Sequence, residues 1–151
     1  MRIIGLDVGD KRIGMAISDE LQYTAQPLLV YERKGPRQDV AFIKAKLEER
    51  MVSEVVIGVP YMLKGGMSTM GHRVMLFADL VKTSCDVQVI FWDERLSSVE
   101  ANRSMLEGDW SRRKRKSRVD IVAAQLILQS YLDSLRIKRE REDHKKRWDN
   151  G

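Results

Sequence analysis

The chain has a single cysteine among 151 residues, so no internal disulfide can staple it. That lone thiol, Cys85, suits a reducing compartment, and a cytoplasmic location is expected. Histidine is almost as scarce. His72 and His144 each lack a neighbour at metal-ligand spacing, so they are expected on surfaces or helix faces. No apolar run approaches the roughly 18 residues needed to cross a bilayer. Asp7 and Asp10 interrupt the N-terminus before a signal-peptide core could form. Internal repeats and interdomain linkers are absent too. No membrane partner is expected, and the length suits one domain with a substantial core.

What the chain has in quantity is charge. Charged residues make up 32% against 43% hydrophobic, the balance of a globular protein rather than a disordered one. The charge is unevenly placed. Of a net +5, the run "SRRKRKSR" (Ser111–Arg118) holds six cations and no acid, which leaves −1 for the remainder. Such a cluster suggests a polyanionic partner; a solvated loop is the plain alternative.

Arg2–Val8 and Ile13–Ser18 read as strands joined by the tight turn "GDK", with Gly9 its flexible residue. Thr24–Arg33 reads as a third strand, placed at a sheet edge by Pro27. Beyond "KGPR", Val40, Ile43 and Leu47 fall at helical spacing within 38–51. "EVVIGV" is continuously apolar, as in strands covered on both faces. A loop around Gly65-Gly66, a helix over about 69–84 and the strand "VQVIFW" follow. "SSVE" has the form of a capping box, Ser97 with Glu100, opening a short helix to about Leu106. "EGDW" and the basic run are expected as loop, and Val119–Leu135 as a well-buried helix. The tail is polar all round and should extend that helix before fraying. The pattern predicts an α/β fold with a mixed five-stranded sheet flanked by helices. Its first three strands are antiparallel, and the two later strands run parallel to the first.

Three acidic positions fall where strand or helix patterning does not ask for them. Asp7 sits inside the first strand, Asp93-Glu94 close "VQVIFW", and Asp120 opens the last helix. Asp120 shares a helix face with Ala123, Ala124, Ile127 and Tyr131. Each has a plain reading: a turn acceptor, a strand-end cap, a complement to a helix N-terminus. Together they point elsewhere. Strand C-termini form the usual crevice of an open α/β sheet. Carboxylates gathered there repel unless a divalent cation neutralises them, and all-oxygen ligation selects Mg²⁺ or Mn²⁺. Two such ions would support phosphodiester hydrolysis. A buried carboxylate is costly without a partner, and a metal would supply one to Asp7.

"GLDVGDKRIGMAISD", "GVP", "DERLSS" and "VDIVAAQLILQSYL" resemble the RuvX (YqgF) family over roughly residues 2–135. The resemblance implies a ribonuclease-H-like nuclease domain in 1–135, with 136–151 a polar, partly helical tail. It implies a nuclease for structured nucleic acid. The first expectation is processing of the 5' end of pre-16S ribosomal RNA, and the alternative is a Holliday junction resolvase acting on branched DNA. By the same likeness Asp7, Glu94 and Asp120 are the metal-binding catalytic acids. Lys11, Arg12 and Arg95 would then lie near phosphate, joined by Arg112, Arg113, Lys114, Arg115 and Lys116 of the basic run. The loop "YMLKGGMS" departs from the family, which carries Asp-Gly where this chain has Lys64-Gly65, so no binding role is transferred to it.

Two rivals belong to other classes. "GLDVGDKRIG" also resembles the phosphate hairpin of actin-like ATPases and sugar kinases, but those need a duplicated domain that 151 residues cannot hold. A non-catalytic nucleic-acid-binding module is disfavoured by the presence of all three acids. Trp92 is expected to pack. Trp110 is expected to pack as well, with stacking on a base as its second reading. The expected state is a monomer or weak dimer. If the basic run contacts phosphates, replacing residues 112–116 with Ser should weaken binding to every sequence. The slope of log K against log salt should flatten by about 0.9 per lost contact on duplex DNA. An unchanged slope in a salt titration would leave the run as surface charge.

Overall fold

β1 (Ile3–Val8) is buried at every residue because it lies in the middle of a five-stranded sheet with helices on both faces. The structure, a computed structural model, describes residues 1–62, 64–99 and 112–151, with side chains from Val119 onward in the last stretch. β1 pairs antiparallel with β2 (Arg12–Ser18), which pairs antiparallel with β3 (Ala25–Glu32). On its other side β1 pairs parallel with β4 (Glu54–Val59), which pairs parallel with β5 (Gln88–Asp93). The order is β3-β2-β1-β4-β5, and all four pairing directions are those expected from the sequence. Pro27 does lie on an edge strand, and there the β2–β3 register slips, Met15 facing Leu29 while Ala16 faces Pro27. A residue with no N–H to donate is tolerated at such a place.

Alternation along the strands divides the core in two. Ile4, Leu6 and Val8 pack against Val40, Ile43 and Leu47 of α1 (Pro36–Glu49) and Val74, Phe77 and Val81 of α2 (Thr69–Ser84). Ile3, Ala16 and Val56 turn the other way, onto Ala124, Ile127 and Leu128 of α3 (Arg112–Asp149). Fully burying each such side chain stabilises the fold by about 1.5–3 kcal/mol. Gly5 also lies on the α3 face, where a Cβ would be 2.7 Å from the Leu128 Cβ.

Two expectations about α3 change. The basic run was expected as loop, yet Arg112 through Arg118 are helical. Arg and Lys are good helix formers, and no Gly or Pro interrupts this stretch. Asp120 therefore does not open the helix but sits about two turns inside it, so complementing a helix N-terminus is not its role. At the other end α3 continues to Asp149, with 136–149 wholly exposed. Near β5, Ser97 donates its hydroxyl to the Glu94 carbonyl at 2.7 Å, closing the 3₁₀ turn Glu94–Leu96. Glu100, the short helix to Leu106, and Trp110 lie outside the described residues.

One polar linkage crosses the α1–α2 side. Asp39 of α1 is fully buried and accepts from Arg33 Nε at 2.9 Å and from the amides of Lys34 and Gly35. Burial by itself would raise its carboxyl, but these donors together with the Tyr31 hydroxyl hold it below the usual range. Arg33 Nη1 meanwhile donates to the Gly9 carbonyl at 2.9 Å, and its guanidinium lies 4.8 Å from the Phe77 ring centre. A depressed carboxyl stabilises the fold above its unfolded value, and that contribution disappears as pH falls through the folded value. Asp39→Asn should thus cost about 3 kcal/mol at pH 7, because it strips a half-buried guanidinium of its counter-charge. Urea melts should show the gap between variant and parent closing below about pH 4.

Candidate functional site

Asp7 is the fifth residue of β1, 5% exposed, on the α3 face by alternation with Ile3 and Gly5. Its partner across the antiparallel ladder is Gly14. On the parallel side Leu6 faces Ile57, so the next step along both strands sets Asp7 beside Gly58. Two strands that could have flanked Asp7 with side chains present none. The spaces are used. A Cβ at Gly14 would collide with the Asp120 carbonyl, 2.6 Å from its carbon, so the α3 backbone rests on that glycine. A Cβ at Gly58 would meet the Ile127 side chain and lie 3.0 Å from Glu94 Oε1, so the Glu94 side chain leans over β4 toward α3. The Asp120 backbone and the Glu94 side chain thereby lie against the two strand glycines that flank Asp7. Glu94 is 8% exposed, and each of the three acids has an interaction partner, as burial requires.

Asp93 and Arg95, which flank Glu94, are committed to each other. Arg95 Nη2 donates to Asp93 Oδ2 at 2.7 Å and its Nε reaches both carboxylate oxygens at 3.0 and 3.1 Å. Hydrogen bonding from Arg95 holds the Asp93 carboxyl below the usual range. Arg95 Nη1 also donates to the Met62 carbonyl at 3.2 Å, and its guanidinium lies 5.3 Å from the Tyr61 ring centre. A residue expected near phosphate thus braces the loop after β4 against the turn that carries Glu94. That loop is tight: Gly65 and Gly66 take φ of +88° and +82°, where glycine has no steric cost. Ser68 ends it, donating to the Pro60 carbonyl and capping α2 through the Gly71 amide.

Lys11 is exposed in the β1–β2 turn, and Arg12, half-buried, begins β2 on the same face as Gly14 and Ala16. The backbone of residues 112–116 lies in α3, with their side chains outside the description. Trp92 packs as expected, donating to Ser130 Oγ and meeting Tyr131 edge-on. Cys85 is buried, its thiol pushed up by desolvation. His72 is exposed.

Carboxylate oxygens are the ligand type that suits a hard divalent cation. Among the described residues no three Asp, Glu, His or Cys side chains are drawn into one ligand cluster. The chemistry of the donors fits a metal, while the carboxylates are not closed into a cage.

The RuvX family profile, described as a Holliday junction resolvase, matches residues 1–134. The chain belongs to the RuvX family. A relative in Clostridioides difficile strain 630, named "Putative pre-16S rRNA nuclease", is 48% identical over 87% of this chain and 94% of its own. One in Halothermothrix orenii with the same name is 47% identical over 88% and 95%. Among solved structures, Thermus thermophilus RuvC in complex with a Holliday junction substrate superposes with a TM-score of 0.58. It is 14% identical and covers 89% of this chain and 96% of its own. The fowlpox virus resolvase with its Holliday junction DNA gives 0.53 at 16% identity, over 89% and 99%. At those identities the likeness is one of fold, the ribonuclease-H-like architecture of the resolvases.

In this RuvX chain the residues that sequence reasoning passed over are Gly14 and Gly58. A signal was present, since glycine inside a strand marks the close approach of another backbone or a ligand. Gly14→Ala should force α3 away from β2 and destabilise by about 2 kcal/mol, about 4–8 °C in melting temperature. A calorimetric scan that matches the parent would show that the Asp120 backbone does not bear on Gly14.

Proposed function

We propose that this RuvX protein is a metal-dependent nuclease that processes the 5' end of pre-16S ribosomal RNA. The observation that carries the reading is that the Asp120 backbone and the Glu94 side chain lie against the two strand glycines flanking Asp7. Relatives almost half identical over nearly their whole lengths, bearing a pre-16S rRNA nuclease name, support the choice of substrate. The catalytic unit is 1–135, and 136–151 is a polar helical extension. Asp7, Glu94 and Asp120 would hold Mg²⁺ or Mn²⁺, two ions in the full mechanism. Divalent cations held there would supply charge neutralisation at the scissile phosphate and activation of the attacking water. Asp7, held in the central strand, anchors the position of the reacting phosphorus. The Gly58 notch lets Glu94 reach toward it from the end of β5. Arg12, on the same face, and Lys11 at the turn orient the flanking phosphates. Arg112, Arg113, Lys114, Arg115 and Lys116 attract the polyanion from the start of α3. Arg95 acts indirectly, by bracing the neighbouring loop. The protein works in the cytoplasm as a monomer or weak dimer; among the described residues no helix is long and apolar enough to cross a membrane.

A cleavage panel tests the substrate: ribosomal-RNA precursor, single-stranded RNA and a four-way DNA junction, each with Mg²⁺, Mn²⁺, Ca²⁺ or excess EDTA. Cutting confined to the precursor and abolished by EDTA is expected, with Ca²⁺ inhibitory. Cutting of the junction alone would make the protein a resolvase, and cutting in EDTA would end the metal reading. Asp7→Asn should lower cleavage by at least about a hundredfold while RNA binding persists. Mg²⁺ should raise the melting temperature of the parent more than that of the variant, because linkage acts only where a site remains.

A further inference from the structure

On the reverse side of the β1 end, facing α2, lies a cavity of about 250 Å³. Asp7 points to α3 and the next residue, Val8, lines this cavity with Gly9, so the two sites back onto one strand end. The floor is apolar and buried: Val8, Val74 and Phe77. The mouth is cationic. Arg33 is held there by the Gly9 carbonyl and Asp39, with its guanidinium against the Phe77 ring. Arg73 of α2 spans the opening to Asp10 of the β1–β2 turn at 3.1 Å, both side chains more than half exposed. An ion pair so exposed holds weakly, and an incoming phosphate can replace Asp10 as partner to Arg73. Leu76 and Leu80, 68% and 43% exposed, form an apolar outer rim.

We propose that this cavity receives one unstacked base of the nucleic-acid substrate, its phosphate taken by Arg73. The inference rests on the nuclease reading. An unpaired base needs an apolar wall for its faces, an aromatic or guanidinium surface, and cations for the attached phosphate. The cavity offers all three, whereas an apolar protein side chain has no use for two arginines at the mouth. Exposed Lys11, Lys34 and Arg37 stand on adjacent segments and extend the positive field. A strand crossing the end of the sheet would pass from the acids to the cavity around the Gly9–Lys11 turn. Because the base is read outside the catalytic centre, the cavity selects substrates with an unpaired nucleotide beside the cleaved bond.

The test is an abasic scan. A short single-stranded RNA spanning the cleavage point, with one base removed at each position in turn, is titrated against full-length protein in EDTA by fluorescence anisotropy. One position is expected at which loss of the base weakens parent binding about tenfold. Leu80→Trp, or Leu76→Trp as a second rim variant, fills the cavity without touching its buried floor. Each should bind intact RNA about tenfold more weakly and be indifferent to the abasic site at that position. Asp10→Asn should tighten binding by freeing Arg73. Rim variants with parent affinity, or an abasic penalty equal in parent and variants, would overturn the proposal. A parent that cuts RNA but shows no such coupling overturns this inference alone. Coupling in a parent that cuts nothing sustains the cavity and removes the nuclease reading, and a parent that binds no RNA removes both.

Discussion

Backbone resting on Gly14 is the contact from which the arrangement of the site follows. Because β2 offers no side chain there, α3 can lie flat against the sheet and bring Asp120 beside β1. Gly5 extends the same clearance along the helix, with Ala124 and Leu128 filling it. Gly58 does the equivalent on the other flank for Glu94 and Ile127. Interiors are close-packed, so a single methyl at Gly5 or Gly14 cannot be absorbed without moving α3. The Asp120 backbone and the Glu94 side chain owe their places to what the neighbouring strands leave out.

The two faces of the sheet divide the labour. The α3 face carries the carboxylates, and the α1–α2 face carries the bracing. Arg33 links Asp39 of α1, the carbonyl of Gly9 and the ring of Phe77, so the turn after Asp7 is held from behind by both helices. Arg95 plays the matching part at the other rim, tying Asp93 to the loop after β4. Each guanidinium binds a carboxylate through one edge and still reaches a carbonyl with another nitrogen, which a lysine could not do with the same rigidity. Flanking strand ends are fixed in this way without filling the space around the acids.

Much of this was legible in the residues themselves. Strand alternation, the apolar run of β4, the helical spacing of Val40, Ile43 and Leu47, and the edge-marking Pro27 all report local periodicity, and periodicity survives in a one-dimensional string. Five strands, their pairing directions and the three unusual acids could be read in advance for that reason. Where α3 begins could not be read so well. A run of cations looks like solvated loop by composition, although Arg and Lys favour helix once a buried segment such as 119–135 can propagate upstream.

Family membership thus lay in the sequence, and so did the three acids that patterning does not ask for, because side-chain chemistry and spacing are properties of the string. The tertiary structure alone decided that Arg95 pairs with Asp93 and reaches the loop after β4, that Gly14 and Gly58 are close-contact points, and that Val8 backs onto a cavity. Each of these depends on residues dozens of positions apart meeting through sheet register and helix packing. No local pattern encodes which atoms will stand opposite one another once the sheet has closed on its helices.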